Sequence, residues 1–313
     1  MPARCWVLWI DPEVEQYIET ELETGTEIVM NRYLAITPAR DEEQFLPGLI
    51  SSMAAQTILP QRWIVIDDGS VDATAQILDD AARRYHWIEP IHLPRNRPRE
   101  AGGESVIMQF LPRDAWQDVD FIFRLDADLS FEGDFIGLML KEFAANPKLG
   151  IAGATLYEPL NDRWREVPEF NSFHTRGATK MYSSKCFAMI EPLEGCEGWD
   201  TIDEMRAAMH GFKTQSFRHI RAYHHRPQGE AAGAWRGYFG KGRTAYFIGY
   251  SPIFLLARAA RVAINRPLSA LCMAAGYFES QLKRRPTVND TELVTFIRRQ
   301  QVRRLLMQES VWR

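Results

Sequence analysis

Cysteine is scarce and scattered in this chain: four residues in 313, at Cys5, Cys186, Cys196 and Cys272, with no Cys-x-x-Cys pair. That excludes a zinc ribbon or a thioredoxin-type motif and fits a reducing compartment, where buried free thiols are ordinary. Long apolar runs are missing too. The longest uncharged stretch, Gln44 to Gln61, has 18 residues but includes Pro47, Pro60 and six Gln, Ser and Thr, and the next, Thr244 to Ala257, has 14 and contains Gly249 and Pro252. A bilayer span needs roughly 18–20 predominantly apolar residues. The first residues hold one early arginine and a short apolar run, then turn acidic without a small-residue cleavage site. A secretory leader is therefore not expected, and a cytoplasmic chain is. There is no internal repeat and no low-complexity segment.

What is there is ordinary globular material, with 46% apolar and 25% charged residues, enough to bury a sizeable core. Disorder is excluded, and the length suggests about two domains. The net charge of −4 hides a split. From Lys213 to Arg313 there are 18 Lys and Arg against 5 Asp and Glu, leaving 19 basic and 36 acidic residues before them. A basic segment in an acidic protein points to an anionic partner: nucleic acid, phospholipid headgroups or a pyrophosphate-bearing substrate.

Residues 1–32 form a glutamate-rich preamble. From Tyr33 apolar runs alternate with amphipathic stretches. Strands are expected at 33–37, 63–67, 88–93, 121–125 and 149–154, and helices at 42–55 (Phe45, Leu49, Met53 on one face), 72–85 and 133–145. Such alternation indicates βαβ units and a mostly parallel sheet. Later come a helix at 201–210, a strand at 214–222, a glycine-rich stretch at 229–249, and helices near 252–264, 268–283 and 291–308. The expected domains are 33–228 for the α/β body and 229–313 for a flexible loop and basic helical extension.

In sheets of this kind ligands bind at the carboxyl ends of the strands, and there the polar clusters fall. Asp126-Ala127-Asp128 follows a buried strand. Two carboxylates one residue apart at a strand exit can bind a hard divalent cation through oxygen, although the same pair also suits a solvated turn. Asp67-Asp68-Gly69-Ser70 can accept hydrogen bonds from a base edge or a ribose, while Asp72 suits a helix cap. Asp200, Asp203 and Glu204 cluster near a helix N-terminus, where the dipole favours them, and one could serve as general base. His224 and His225, beside Arg226, suit a metal ligand with a phosphate clamp.

In this order the four features resemble the family 2 glycosyltransferases of GT-A fold, over roughly Tyr33 to Arg226. Thr37-Pro38-Ala39-Arg40-Asp41-Glu42-Glu43 resembles the family's opening nucleotide-binding stretch, Asp67 to Ser70 its DDGS, and Asp126 to Asp128 its D-x-D. The resemblance implies a GT-A, Rossmann-like, mostly parallel sheet flanked by helices, and a divalent cofactor, manganese or magnesium. It places Thr37, Pro38, Arg40, Glu42, Asp67 and Asp68 around the nucleotide, Asp126 and Ala127 near the ribose or sugar, and Asp128 with His224 or His225 on the metal. Arg226 and Arg243 would face the diphosphate. The family's later motif carries Glu-Asp, an Arg six residues on and a Gly eleven on; Asp200, Arg206 and Gly211 keep that spacing, but Trp199 replaces the Glu. Asp200 is thus the expected base, with Asp203 as runner-up. The stretch from Arg95 to Gly103 is basic where the family carries an acidic or Asn-rich acceptor loop.

The implied chemistry is inverting transfer from a nucleotide-sugar, a UDP-sugar by the resemblance, to a glycan or lipid-linked hydroxyl. A retaining GT-A enzyme shares the D-x-D and the histidine. The glycine-rich stretch suits either a lid over the donor or a flexible linker. The basic, apolar tail suits contact with an anionic membrane surface, which would make the protein peripheral, or packing on the catalytic domain or a second copy of the chain. Two rivals remain. A nucleotide-sugar pyrophosphorylase would need a glycine-rich phosphate loop after the first strand, which is absent here. A non-catalytic polyanion-binding protein would need a basic face with aromatic platforms; only Tyr238, Phe239 and Tyr246 lie near Lys241 and Arg243, so nucleic acid is not an expected partner.

Overall fold

Strand β1, Tyr33–Ala39, is buried along its whole length. Its residues split between two cores, with Tyr33, Ala35 and Ala39 in one and Leu34 and Ile36 in the other. That alternation is the period of two of an extended strand, and burial on both faces explains the unbroken apolar run. The computed structural model describes residues 32–95, 111–112, 114–168, 173–193, 198–226 and 233–312. The preamble, the basic stretch after Arg95 and the start of the glycine-rich stretch lie outside these.

Beside β1 run β2 (Arg62–Asp67) and β4 (Phe121–Leu125), both parallel to it, and β3 (Ile88–His92) pairs parallel with β2. The other strands are β5 (Leu129–Ser130), β6 (Leu149–Leu160), β7 (Arg163–Glu166), β8 (Thr179–Ser183) and β9 (Lys213–His224). They complete the order β3-β2-β1-β4-β8-β6-β9-β5, with β7 on β6. The sheet is mixed. β8 runs antiparallel to both β4 and β6, and β5 and β7 also pair antiparallel.

The expectation of a mostly parallel sheet overlooked β8, because Thr179-Lys180-Met181-Tyr182-Ser183 has a lysine where an apolar residue belongs. Lys180 is fully buried.

Helix α1 (Leu46–Ala54) starts later than expected, with Pro47 at its first turn, and buries Leu46, Leu49 and Met53 while Phe45 stays outside. Helices α2 (Thr74–Arg84) and α3 (Phe135–Ala145) fall close to expectation. Helix α4 (Ser184–Ile190) is capped by the Ser183 hydroxyl, and α5 (Trp199–Met209) leads into β9.

The glycine-rich stretch is not a loop where it is described. It forms helix α6 (Gly233–Phe247), followed by α7 (Pro252–Ala263), α8 (Pro267–Leu282) and α9 (Thr291–Leu305). Glycine inside a helix costs about 1 kcal/mol relative to alanine. Here it permits contact between helix backbones. A Cβ on Gly242 would lie 2.0 Å from the Met273 carbonyl oxygen, and one on Gly276 would lie 2.1 Å from that of Phe239. Ile202 and Met205 of α5 share one buried cluster with Leu255, Met273, Tyr277 and Ile297 of these helices. Arg32–Arg313 accordingly forms one compact unit.

Gly276→Val should force α6 and α8 apart and destabilise the chain by about 1–3 kcal/mol or more. A lowered melting temperature by circular dichroism, absent in the exposed control Leu271→Val, checks this.

Candidate active site

Two strand ends build the first part of the site. Asp126 and Asp128 leave β4, and His224 closes β9, held in place because β5 pairs with β9 through Leu129 and His224. The His225 amide also donates to the Asp128 carbonyl at 2.9 Å. One ligand atom each from Asp126, Asp128 and His224 falls within a 4.8 Å group. His224 Nε2 lies 3.1 Å from Asp128 Oδ1, and its Nδ1 lies 3.7 Å from Glu158. Burial opposes ionisation of Asp128, but the His224 bond and Arg226 hold its carboxyl below the usual range. Burial likewise lowers the His224 imidazole, and Asp128 more than restores it. Two carboxylates and an imidazole whose second nitrogen faces another carboxylate form a donor set that fits a divalent cation.

Arg226 sits over this group, with Nε 3.2 Å from Asp128 Oδ2 and its other end on Glu42. Burial raises the Glu42 carboxyl, with Arg226 drawing it back and Asp128 and Asp126 adding repulsion. His225 does not join the cluster. Successive strand residues face opposite ways, and its Nε2 is 2.8 Å from the Ser130 hydroxyl, with its ring stacked on Phe45.

At the ends of β1 and β2 several expected nucleotide contacts are occupied by the fold. Thr37 is fully buried, and its hydroxyl accepts from the Trp63 indole at 2.9 Å. Pro38 lies in β1, buried opposite Ile66. Asp67 accepts from the Ser70 amide at 2.9 Å and meets His92 Nδ1 at 3.0 Å. Asp72 accepts from the amides of Thr74 and Glu43, the local role a cap residue suits. Arg40 and Asp68 pair at 3.3 Å across the two strand ends.

The second part is the acidic start of α5. Lys180 Nζ donates to the Asp200 carbonyl at 2.6 Å and to Asp203 at 2.8 Å, and lies 3.2 Å from Glu204. Asp203 also accepts from the Tyr182 hydroxyl at 2.6 Å. Burial raises the Asp203 carboxyl and Lys180 draws it back. Asp203, the runner-up base, is 2% exposed and held by these donors. The Asp200 carboxylate is 30% exposed, 3.8 Å from His174 Nε2, while His174 Nδ1 lies 3.0 Å from Glu204. The Glu204 carboxylate raises the His174 imidazole above its ordinary value, against burial.

Arg124 joins the two parts. It is 1% exposed, reaches Asp126 at 2.7 Å and stacks 5.0 Å from the Trp199 ring centre, with Lys180 5.3 Å from the same ring. Arg124 and Lys180 are direct register partners in the β4–β8 pair. Arg243 belongs elsewhere: its guanidinium lies 3.3 Å from Glu279 and over the Phe239 ring, within the C-terminal helices.

The sequence profile described as Glycosyl transferase family 2 matches residues 34–192, just over half of the 313 residues. The chain belongs to that family. No curated protein sequence matches this glycosyltransferase. Among solved structures, the mannosyltransferase PcManGT from Pyrobaculum calidifontis, in complex with GDP-Man and Mn2+, aligns with a TM-score of 0.55 at 11% identity, covering 91% of this chain and 85% of that one. S. aureus TarS gives 0.53 at 15% identity, covering 75% of this chain but only 44% of its own, so this chain spans less than half its length. TarS 1–349 in complex with UDP-GlcNAc gives 0.50 at 14% identity, covering 85% and 78%. At such identities the likeness is one of fold, the GT-A fold.

Sequence reasoning missed Arg124, Glu158, His174, Lys180 and Tyr182 in this glycosyltransferase. Lys180 and Arg124 each interrupt an apolar strand, and a cation there signals a buried anion nearby. His174 carries no such signal.

Lys180→Met should leave buried Asp203 without a cation and cost about 3–5 kcal/mol in denaturant unfolding. The raised His174 imidazole contributes stability that is complete below about pH 6.5 and lost as pH rises through its higher folded value. His174→Gln should therefore destabilise the protein most at acid pH. Urea melts across the range should show that deficit shrinking as pH rises.

Proposed function

We propose that this chain is a metal-dependent, inverting glycosyltransferase. It would move a sugar from a nucleotide-sugar, in the first instance a UDP-sugar, to a hydroxyl of a glycan or lipid-linked acceptor. The observation that carries this reading is the convergence of Asp126, Asp128 and His224 at the carboxyl end of the sheet in a family 2 glycosyltransferase. Two structures of like fold point the same way: one holds GDP-Man with Mn2+ and the other UDP-GlcNAc. A divalent cation on Asp126, Asp128 and His224 supplies, when bound, charge neutralisation for a diphosphate.

The remaining work falls to the chain's own residues. Arg226 places a guanidinium beside the same carboxylates and would take up charge on the departing diphosphate. The Arg40–Asp68 pair, at the ends of β1 and β2, would meet the base. Asp200 would take the acceptor's proton as its oxygen bonds to the anomeric carbon and the carbon–phosphate-oxygen bond breaks. That assignment rests on its partly exposed carboxylate and on a backbone anchored by Lys180. A single displacement of this kind inverts the anomeric centre. A cytoplasmic setting is supported by the free thiols of Cys186 and Cys272.

Incubation with UDP-sugars and Mn2+ or Mg2+, following UDP release, tests this directly. Asp128→Ala should abolish metal-dependent turnover. Asp200→Asn should lower kcat by about 10²–10⁴ while leaving donor binding unchanged. Turnover of Asp200→Asn at the parent rate would move the base elsewhere.

A further inference from the structure

Helices α7 and α8 each bury one face and leave the other apolar. Leu255 and Ala259 of α7, with Ala270, Met273 and Tyr277 of α8, enter the core they share with α5. On α7 the opposite stripe is Ile253, Leu256, Ala260 and, just past its end, Ile264, all exposed; on α8 it is Leu268, Leu271 and Ala275. The spacing of three, four and seven residues keeps each stripe on one side of its helix. The two meet at the tight turn through Asn265, where Arg266 N donates to Val262 O at 2.9 Å. Around that corner Ile264 is 78% exposed and Leu271 67%. Such large aliphatic exposure marks a surface that is covered in use.

The charges along this stretch of chain are of one sign. Between residues 231 and 278 there are six cations and no Asp or Glu. Arg258, Arg261 and Arg266 are exposed beside the stripe and make no ion pair among the described residues. Aliphatic residues flanked by arginine are the makeup of helices that lie in a lipid interface, with their apolar side among the upper acyl chains. The alternatives fit less well. Stacking platforms for nucleic acid would be aromatic, and a second copy of the chain would bring like charges together. No helix among the described residues is long and apolar enough to cross a membrane, so the contact is superficial.

We propose that the α7–α8 corner docks this protein on an anionic lipid bilayer surface, with Ile264, Leu268 and Leu271 inserted and Arg258, Arg261 and Arg266 on the headgroups. This stands independently of the transfer chemistry, since it uses none of the site's residues.

The test is co-sedimentation of the full chain with vesicles of phosphatidylcholine alone or mixed with phosphatidylglycerol. The unmodified protein should bind the mixed vesicles and lose binding in high salt. Near the surface each arginine is worth roughly a fivefold change, so Arg258→Gln, Arg261→Gln and Arg266→Gln together should weaken binding on the order of a hundredfold. Ile264→Ser, Leu268→Ser and Leu271→Ser together should also release the protein, and both variants should melt with the parent because the changed side chains are exposed. Failure of the unmodified chain to bind the mixed vesicles overturns the proposal without reference to any variant. So does binding that neither variant weakens, a solution dimer that the serine variant breaks, or salt-sensitive RNA binding in place of vesicle binding.

Discussion

Two buried cations on neighbouring strands hold the site together. Arg124 and Lys180 face each other across the antiparallel β4–β8 pair, and both sit against the Trp199 ring. Burying either charge alone would cost several kcal/mol, so each demands an anion. Arg124 takes Asp126 at the exit of β4, and Lys180 takes Asp203, Glu204 and the Asp200 carbonyl at the start of α5. The candidate metal ligands and the candidate base are thereby fixed to adjacent strands of one sheet.

The arrangement divides the acids into those enclosed by the fold's own donors and those left at the edge of these networks. Asp67, Asp72, Asp203 and Glu204 are each satisfied by neighbouring donors, and their work is the shape of turns and helix starts. Asp126, Asp128 and Asp200 stand at the edges of these networks. Gly198, with φ of +90° at the start of α5, adds a second constraint: a Cβ there would lie 2.3 Å from Thr244 of α6. The acidic helix is thus seated directly on the C-terminal helices.

Much of the fold could be read beforehand. The apolar runs of β1, β2 and β4 and the periodic faces of α2 and α3 lie close to where the pattern placed them, because burial on both faces of a strand leaves a continuous signature. The pattern failed where a polar or small residue does structural work. Lys180 hid β8, and the glycines of α6 read as a linker although Gly242 and Gly276 let helix backbones touch. In both cases the compensating partner lies far along the chain.

The site divides in the same way. Local pattern is enough to put acids and a histidine at strand exits, since Asp126 and Asp128 follow an apolar run and His224 ends a stretch expected as a strand. The folded chain alone sets the surroundings of His224 and His225 apart, because one faces the carboxylates and the other faces Ser130. It also separated Asp200 from Asp203, which sit three residues apart in one acidic helix start but differ in burial and partners. Composition and spacing record what a residue can do. Which of its neighbours have already claimed it is a matter of distance, and contacts made by residues far apart in sequence set that distance.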